Sequence, residues 1–103
     1  MTLSTHVLDA VNGTPATDLR VSWYSGPSLV ATRRTDADGR IREWGAVLEP
    51  GIHRLVFATG EWFADRPAFY PEVTVTFEVT DASAHHHVPL LLSPFAYSTY
   101  RGS

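Results

Sequence analysis

The sequence predicts an all-β domain, a small sandwich of strands with one short helix. Turn-forming residues recur along the chain at intervals of about a dozen residues, the spacing typical of a sandwich or barrel. Between the turns, apolar and polar residues alternate with the period of two that marks a strand with one buried face. The turn signals are Asn12-Gly13, Ser25-Gly26-Pro27, residues 36–39 and residues 49–51. The length of 103 residues fits one domain, residues 1–103.

The individual strands follow from this alternation, in chain order. Residues 19–24 predict a strand with one buried face. Residues 54–57 carry apolar side chains on both faces, so we expect that strand to be covered on both sides. The strongest alternation runs from Glu72 to Thr80. Residues 88–92 are continuously apolar and predict a buried strand, in which Pro89 removes one ladder donor and indicates a bulge or an irregular start.

One segment has a different pattern and predicts the helix. Residues 60–66 show no period of two, and Pro67 follows them directly. Proline disfavours helical backbone in the residue before it, so a helix would have to end there. We therefore predict one short helix, at about residues 60–66, within the sandwich.

Composition excludes several classes of function. The net charge of −3 argues against nucleic-acid binding, which normally requires a basic stripe, and against binding to an anionic membrane surface. The chain has no cysteine, which excludes a disulfide framework and a thiolate nucleophile. The N-terminal residues show neither a basic region nor a long apolar run, so we expect no signal peptide, no membrane span and a cytoplasmic location.

Histidine is the side chain with the most catalytic potential here, because its unperturbed pKa lies near neutrality. We expect His6 to lie in a strand with Ser4 and Leu8 on the same face. A lone histidine in such a position is more often packed or solvated than catalytic, so the residues alone leave its role open. The chain has five histidines: His6, His53, His85, His86 and His87.

The run of three histidines allows a metal site as an alternative. His85 and His87 would point to the same face of a strand, and His6 could complete a three-histidine zinc site. No cysteine, aspartate or glutamate stands nearby at ligand spacing. A solvated strand edge is therefore the favoured interpretation of the run.

Arg40 and the C-terminal tail are the remaining candidates. Arg40 follows a turn, and taken alone it would be a surface arginine. Chain ends normally fray, but Phe95, Tyr97 and Tyr100 make this end aromatic, so we expect it to be docked. From pattern alone, the sequence predicts a β-sandwich with candidate histidines and arginines and no particular reaction.

Several blocks of the sequence resemble the 5-hydroxyisourate hydrolases of the transthyretin-like family, over essentially the whole chain. The C-terminal tetrapeptide Tyr100-Arg101-Gly102-Ser103 is the most specific block, because it ends the protein in that family. The blocks are residues 4–9 (STHVLD), 38–41 (DGRI), 69–73 (FYPEV), 87–94 (HVPLLLSP) and 97–103 (YSTYRGS).

Transthyretin, the hormone carrier, is similar in framework but differs at the informative positions. Where this chain has His6, the carrier has a lysine, and where it has Arg40, the carrier has a glutamate. Where it has His87, the carrier has a threonine, and the carrier continues past the tetrapeptide with small and apolar residues. All of these differences match the hydrolases.

The chain departs from the hydrolase pattern at two positions. His86 stands where the family usually has tyrosine, and Thr14 where lysine or arginine is common. Neither is a core catalytic position of the family. Since neighbouring strand residues point to opposite faces, we expect His86 to point away from His87, with little effect on the chemistry.

The resemblance implies a transthyretin-like sandwich of two four-stranded sheets with a short helix. It also implies a homotetramer, a dimer of dimers with active sites in the cleft between dimers. The implied reaction opens a ring amide of 5-hydroxyisourate, a purine derivative, with water, and needs no cofactor and no metal. The implied catalytic residues are His6, Arg40, His87 and Ser103, and the implied substrate-binding residues are Tyr100, Arg101 and Gly102.

Each implied residue has a role suited to its chemistry. His6 and His87 would handle the protons of the attacking water and of the leaving nitrogen. Arg40 would donate to substrate oxygens and the oxyanion, and Ser103 would offer its hydroxyl or the terminal carboxylate. Three alternatives remain: a transthyretin-like carrier of a hydrophobic ligand, a structural or adhesion sandwich, and a zinc-dependent hydrolase that uses the histidine cluster.

Overall fold

The computed structural model describes residues 2–103, which form two packed β-sheets and one short helix. No helix in this part of the chain is long and apolar enough to cross a membrane. In chain order the elements are β1 (Leu3–Asp9), β2 (Thr14–Pro15), β3 (Arg20–Ser25), β4 (Ser28–Arg34), β5 (Arg40–Ile41), β6 (Gly51–Phe57), α1 (Thr59–Phe63), β7 (Val73–Val79), β8 (His86–Ser93) and β9 (Ala96–Thr99).

The first sheet has the strand order β2-β1-β8-β9, and the second has the order β4-β3-β6-β7. The short strand β5 adds to β1 as a fifth member of the first sheet. Strands β1 and β8 run parallel, and the other neighbours are antiparallel. The predicted all-β sandwich of two sheets with one short helix is confirmed, and β5 is an addition to it.

The core lies between the sheets and follows the predicted alternation. In β7, Val73 and Val79 are buried whereas Thr74 and Thr76 are exposed. In β6, Leu55 and Phe57 are fully buried, and Arg54 and Val56, which alternate with them, are half-covered, as expected for a strand shielded on both sides. Each such buried side chain contributes roughly 1.5–3 kcal/mol of transfer free energy. The largest fully buried apolar side chains are Trp23, Phe57, Leu19, Leu55, Leu90 and Leu92.

The helix is shorter than the predicted 60–66, because it begins at Thr59 and ends at Phe63. Ala64 takes a positive φ of 58° and donates its N–H to the Gly60 carbonyl at 3.0 Å. A left-handed residue cannot continue a helix, so Ala64 ends it. The prediction that Pro67 sets the end was wrong.

The predicted irregularity at Pro89 was also wrong. The register between β1 and β8 is continuous from Leu3 opposite His86 to Asp9 opposite Leu92. The Pro89 carbonyl faces the β9 side, where it accepts a hydrogen bond from the Thr99 hydroxyl at 2.6 Å. The β8–β9 ladder ends where Leu90 lies opposite Thr99, so it stops next to Pro89, where no N–H is available.

The C-terminal tail continues past β9 along β8. Gly102 bridges to His87, in the register set by Leu90 opposite Thr99, and donates its N–H to the His87 carbonyl at 2.9 Å. The tail is therefore docked, as expected, but backbone hydrogen bonding to β8 holds it and not the aromatic side chains on which the expectation was based. The side chain of Tyr100 is 60% exposed in the single chain.

Candidate active site

The candidate site lies on the face of the first sheet that points away from the core, called here the outward face. In β1, Leu3, Thr5 and Val7 are buried between the sheets. Their neighbours Ser4 and His6 therefore project from the opposite face. Ser4 is buried and His6 is partly exposed, and both lie on the face of the strand that points away from the core.

Strand β5 brings Arg40 directly opposite His6 in antiparallel register. A tight turn that begins at Asp36 leads into Arg40. The Asp36 carboxylate stabilises this turn by accepting the Arg40 N–H at 3.0 Å. Gly39 in this turn has a φ of 74°, and a Cβ there would overlap the Val7 carbonyl, so only glycine fits. The Asp-Gly-Arg block thus fixes the backbone of Arg40 opposite that of His6.

Strand β8 places His87 beside Ser4 in parallel register. The Ser4 hydroxyl lies 2.7 Å from Nδ1 of His87 and 3.0 Å from Nε2 of His85. The two imidazole rings stack with centroids 6.2 Å apart and planes 16° apart. The expectation that His85 and His87 share a face is confirmed.

A cavity of about 320 Å³ opens on this face, called here the site cavity. It brings together three of the four predicted catalytic residues, Arg40, His87 and Ser103. His6 does not line it but is paired with Arg40 at its edge. The lining residues are Thr2, Ser4, Thr5, Arg40, Arg42, His85, His87 and Ser103.

Two of the predicted substrate-binding residues lie elsewhere. Tyr100 and Arg101 line a neighbouring cavity of about 230 Å³, together with Val75 and Phe77 of β7. His87 lines both cavities and so stands between them. A single chain therefore does not bring Tyr100 and Arg101 into the site cavity, and Gly102 contacts His87 instead.

Comparison with known proteins identifies the family of this chain. The family described as HIUase/Transthyretin matches residues 3–102. This chain belongs to the HIUase/Transthyretin family. The resemblance found in the sequence is therefore confirmed.

The similar proteins include 5-hydroxyisourate hydrolases and a transthyretin. The chain is 44% identical to the 5-hydroxyisourate hydrolase of Ralstonia nicotianae, covering 98% of this chain and 97% of that one. The structure of Klebsiella pneumoniae 5-hydroxyisourate hydrolase matches with a TM-score of 0.92 and 39% identity, over 99% of this chain and 98% of that one. Sea bream transthyretin in complex with thyroxine matches with a TM-score of 0.86 and 29% identity, over 97% and 93%.

His6 and His87 have pKa values below the ordinary histidine value of 6.5. Burial lowers the pKa of His87 most, followed by the positive charges of Arg40, His85 and His6. For His6, burial again lowers the pKa most, then Arg40, while the backbone of Asp38 acts in the opposite direction. Both imidazoles are therefore neutral at pH 7, the form in which a histidine can accept a proton.

The other two histidines have different surroundings. His86 is buried, as expected for a residue pointing away from His87, and its Nδ1 donates to the Ala84 carbonyl at 3.0 Å. His53 lies in the core, 1% exposed, where its Nδ1 accepts from the indole N–H of Trp23 at 3.1 Å. Among residues 2–103, no group of three histidine, cysteine, aspartate or glutamate side chains is arranged to hold a metal ion.

Sequence reasoning missed Ser4 and Arg42 as members of the site, and it considered His85 only as a possible metal ligand beside His87. Ser4 and Arg42 each lie two residues from a predicted site residue, His6 and Arg40 respectively, and line the site cavity. The period of two that predicted the strands also placed these neighbours on the outward face. That signal was present in the sequence and could have identified them.

Proposed function

We propose that the protein hydrolyses 5-hydroxyisourate to 2-oxo-4-hydroxy-4-carboxy-5-ureidoimidazoline, a step of urate degradation. The observation that carries this proposal is the convergence of Arg40, His87 and Ser103 in one cavity, with His6 paired to Arg40. The two hydrolases named above match nearly the whole of this chain, which supports the same substrate. Their identity to this chain exceeds that of the carrier.

Ring opening by water requires a base for the water, a donor for the oxyanion and a means of holding the substrate. We assign His6 and His87 to proton transfer, since their lowered pKa values keep them neutral and able to accept a proton at pH 7. A well-placed general base contributes roughly 10²–10⁴ in rate. One of the two would accept the proton of the water, and the other would orient the water or protonate the leaving nitrogen.

Arg40 is assigned to the oxyanion. Its planar guanidinium presents a fixed fork of N–H donors, and it lines the cavity together with His87. The Ser103 hydroxyl would accept a substrate N–H from the same cavity. The scheme takes its proton transfer and charge stabilisation from these side chains, without a metal or cofactor.

The substrate roles of Tyr100, Arg101 and Gly102 require a more complete site than one chain forms. The site cavity lies on the outward face, open to solvent, and Phe69, Phe95 and Tyr100 are more than half exposed. Large aromatic side chains left in solvent are groups that association with further copies of the chain would bury. We therefore propose a homotetramer, a dimer of dimers whose cleft completes the site, and sedimentation equilibrium at several concentrations tests it.

A cytoplasmic location is also proposed. The chain has no cysteine, so it forms no disulfide to protect it in an oxidising compartment. Fractionation of the source cells, with hydrolase activity measured in each fraction, tests this part of the proposal. Activity confined to another compartment would contradict it.

The central experiment is His87→Asn, with ring opening followed by ultraviolet absorbance. We expect turnover to fall roughly 10²–10⁴-fold, because asparagine cannot accept the proton. The control is His86→Tyr, at the neighbouring buried position, which should retain turnover within a few fold. Near-normal turnover in His87→Asn would remove His87 from the mechanism.

Carriage of a hydrophobic ligand is the alternative favoured by the likeness to transthyretin. The site cavity is lined by the cationic side chains of Arg40 and Arg42 and by polar hydroxyls, which suits an oxygen-rich substrate better than a hydrophobic one. Calorimetric titration with thyroxine discriminates between the two functions. We expect no binding at micromolar protein.

A further inference from the structure

One serine hydroxyl joins two imidazole rings at the site. The Ser4 Oγ lies within hydrogen-bond distance of Nδ1 of His87, at 2.7 Å, and of Nε2 of His85, at 3.0 Å. On the far side of His85, its Nδ1 contacts the hydroxyl of Thr2. The result is a continuous chain of hydrogen bonds from Thr2 through His85 and Ser4 to His87.

The protons available restrict how this chain can be arranged. A hydroxyl has one proton to donate and can accept from another donor, and a neutral imidazole carries one N–H. If Ser4 donates to His87, then His85 must donate through Nε2, and both rings carry their proton on Nε2. If Ser4 donates to His85, both rings carry it on Nδ1. In either case the two neutral rings share the same tautomer.

The two rings differ in their exposure to solvent. His87 is half-buried and lies near the positive charge of Arg40, so charging it is unfavourable. His85 is exposed, and its ring is open to water. The hydrogen bonds through Ser4 therefore give a proton that arrives at His87 a path from a half-buried ring to an exposed one.

We propose that Ser4 is a positioning residue that fixes the tautomer of His87 to that of His85 and passes the proton gained by His87 on to His85. This inference rests on the proposed function, because it assumes that His87 accepts a proton from water. The connected residues Ser4, His85 and His87 are called the relay below.

The transfer balances in protons and charge. Water loses a proton to Nε2 of His87, whose Nδ1–H passes to the oxygen of Ser4 as the Ser4 proton passes to Nε2 of His85. His87 is then neutral with its proton on Nε2, Ser4 is again a hydroxyl, and His85 is an imidazolium. His85 returns to neutrality by losing its Nδ1 proton to solvent, so both rings, which carry their proton on Nδ1 at the start, now carry it on Nε2. The reverse shift closes the cycle: Nε2–H of His87 protonates the leaving nitrogen, the Ser4 proton passes to Nδ1 of His87, and Nε2–H of His85 passes to the Ser4 oxygen. His85 then takes a proton from solvent at Nδ1, which restores the Nδ1 tautomer of both rings.

The first test reads the tautomers without substrate. In protein labelled with ¹⁵N at histidine, long-range ¹H–¹⁵N correlation spectra report which ring nitrogen of each residue carries the proton. At a pH well above the usual histidine pKa of about 6.5, we expect His85 and His87 to show the same tautomer, with the proton on Nδ1, the state from which the transfer begins. Opposite tautomers would overturn the coupling.

The second test separates proton transfer from packing. His85→Ala removes an exposed ring, so folding should be unaffected, and we expect kcat to fall about tenfold or more with little change in KM. Added imidazole, which can enter the vacated exposed position, should restore kcat, whereas sodium chloride at equal ionic strength should not. An unchanged kcat in His85→Ala, or a loss that imidazole does not restore, would overturn the relay.

Ser4→Ala completes the comparison. It breaks the bridge between the rings, so kcat should fall as in His85→Ala, and imidazole should not restore it. The matched control is Ser22→Ala, a serine on a strand of the second sheet whose hydroxyl contacts Thr32, and it should leave kcat unchanged. If Ser4→Ala retains full kcat, the bridge does not carry protons.

Failure of the relay can be distinguished from failure of the proposed function. If the wild-type protein does not turn over 5-hydroxyisourate, the proposed function is wrong. The proposed proton transfer is then wrong as well, because it assumes that reaction. The tautomer spectra need no substrate, so they still decide whether Ser4 couples the two rings. If the wild type is active and the variants behave as the wild type, only the relay is wrong.

Discussion

Gly102 lies flat against the imidazole ring of His87. Its N–H donates to the His87 carbonyl at 2.9 Å, and a Cβ at position 102 would come within 3.0 Å of Cγ of the ring and closer still to Cδ2. No side chain can occupy that space unless the ring or the tail moves. The glycine of the C-terminal tetrapeptide therefore sets the position of a proposed catalytic histidine.

This contact predicts that Gly102→Ala is an activity variant. The added methyl group would displace the ring of His87 or lift the tail, and a misplacement of about 1 Å costs roughly 10²-fold in rate. We expect kcat/KM to fall by about that factor while the circular dichroism spectrum of the sandwich is unchanged. The assay is the ultraviolet absorbance change of ring opening.

Gly13→Ala is the matched control for a glycine substitution. Gly13 has a φ of 71°, but a Cβ there would have no atom within 4 Å. Alanine should therefore lower the free energy of unfolding by about 1 kcal/mol through backbone strain and leave kcat unchanged. Equal losses of kcat in both variants would show that the effect of Gly102→Ala is not local to His87.

Arg40→Gln should change the pH dependence of the site. After burial, the charge of Arg40 is the next largest cause that lowers the pKa of both His6 and His87. Without that charge both pKa values should rise towards the ordinary value, so the neutral, proton-accepting forms are lost at a higher pH during acidification. The acidic limb of the activity profile should move to higher pH, and the plateau should fall roughly 10²–10³-fold through loss of the oxyanion donor.

An NMR titration of the histidine Cε1 protons, without substrate, measures the two pKa values directly. Arg54→Gln provides the control, since Arg54 packs on the ring of Tyr24 in the second sheet. It removes the same charge from the molecule and should leave both pKa values unchanged. If Arg40→Gln leaves them unchanged as well, Arg40 does not set the protonation of the site.

The fold could be predicted where a local rule decided the outcome. Alternation placed the strands, since burying one face of each strand against the other sheet is the main source of stability. The end of the helix could not be predicted, because it depends on the left-handed backbone of Ala64, which no proline or glycine signals. The irregularity predicted at Pro89 did not appear because β9, the neighbouring strand on that side, ends at Thr99, next to the position where the proline N–H is missing.

The candidate site could be predicted as residue types but not as an arrangement. The pairing of His6 with Arg40 joins β1 to a two-residue strand that has no periodic signal of its own. The hydrogen bonds of Ser4 join it to residues far away in the sequence: His87 lies 83 positions further along the chain. Such contacts arise from strand order, which a single sequence does not display.

His53 should prove to be a structural histidine. It is 1% exposed, its Nδ1 accepts from the Trp23 indole, and its Nε2–H donates to the Glu49 carbonyl at 2.7 Å. In His53→Leu both partners lose their hydrogen bond, so the free energy of unfolding should fall by roughly 2–4 kcal/mol. Urea unfolding at fixed protein concentration measures this, and kcat of the folded protein should stay near normal. A large loss of kcat without destabilisation would contradict a purely structural role.

Residues added after Ser103 should inhibit the protein. Ser103 lines the site cavity beside Arg40 and His87, so an appended Gly-Ser-Gly would begin inside the cavity and could extend about 10 Å. We expect kcat/KM to fall at least roughly 10²-fold while the melting temperature is unchanged, because Gly102 still bonds to His87. The same tripeptide inserted between Gly26 and Pro27, in the exposed turn between β3 and β4, controls for chain length and should leave activity intact. Full activity in the extended protein would mean that the substrate does not occupy the part of the cavity lined by Ser103.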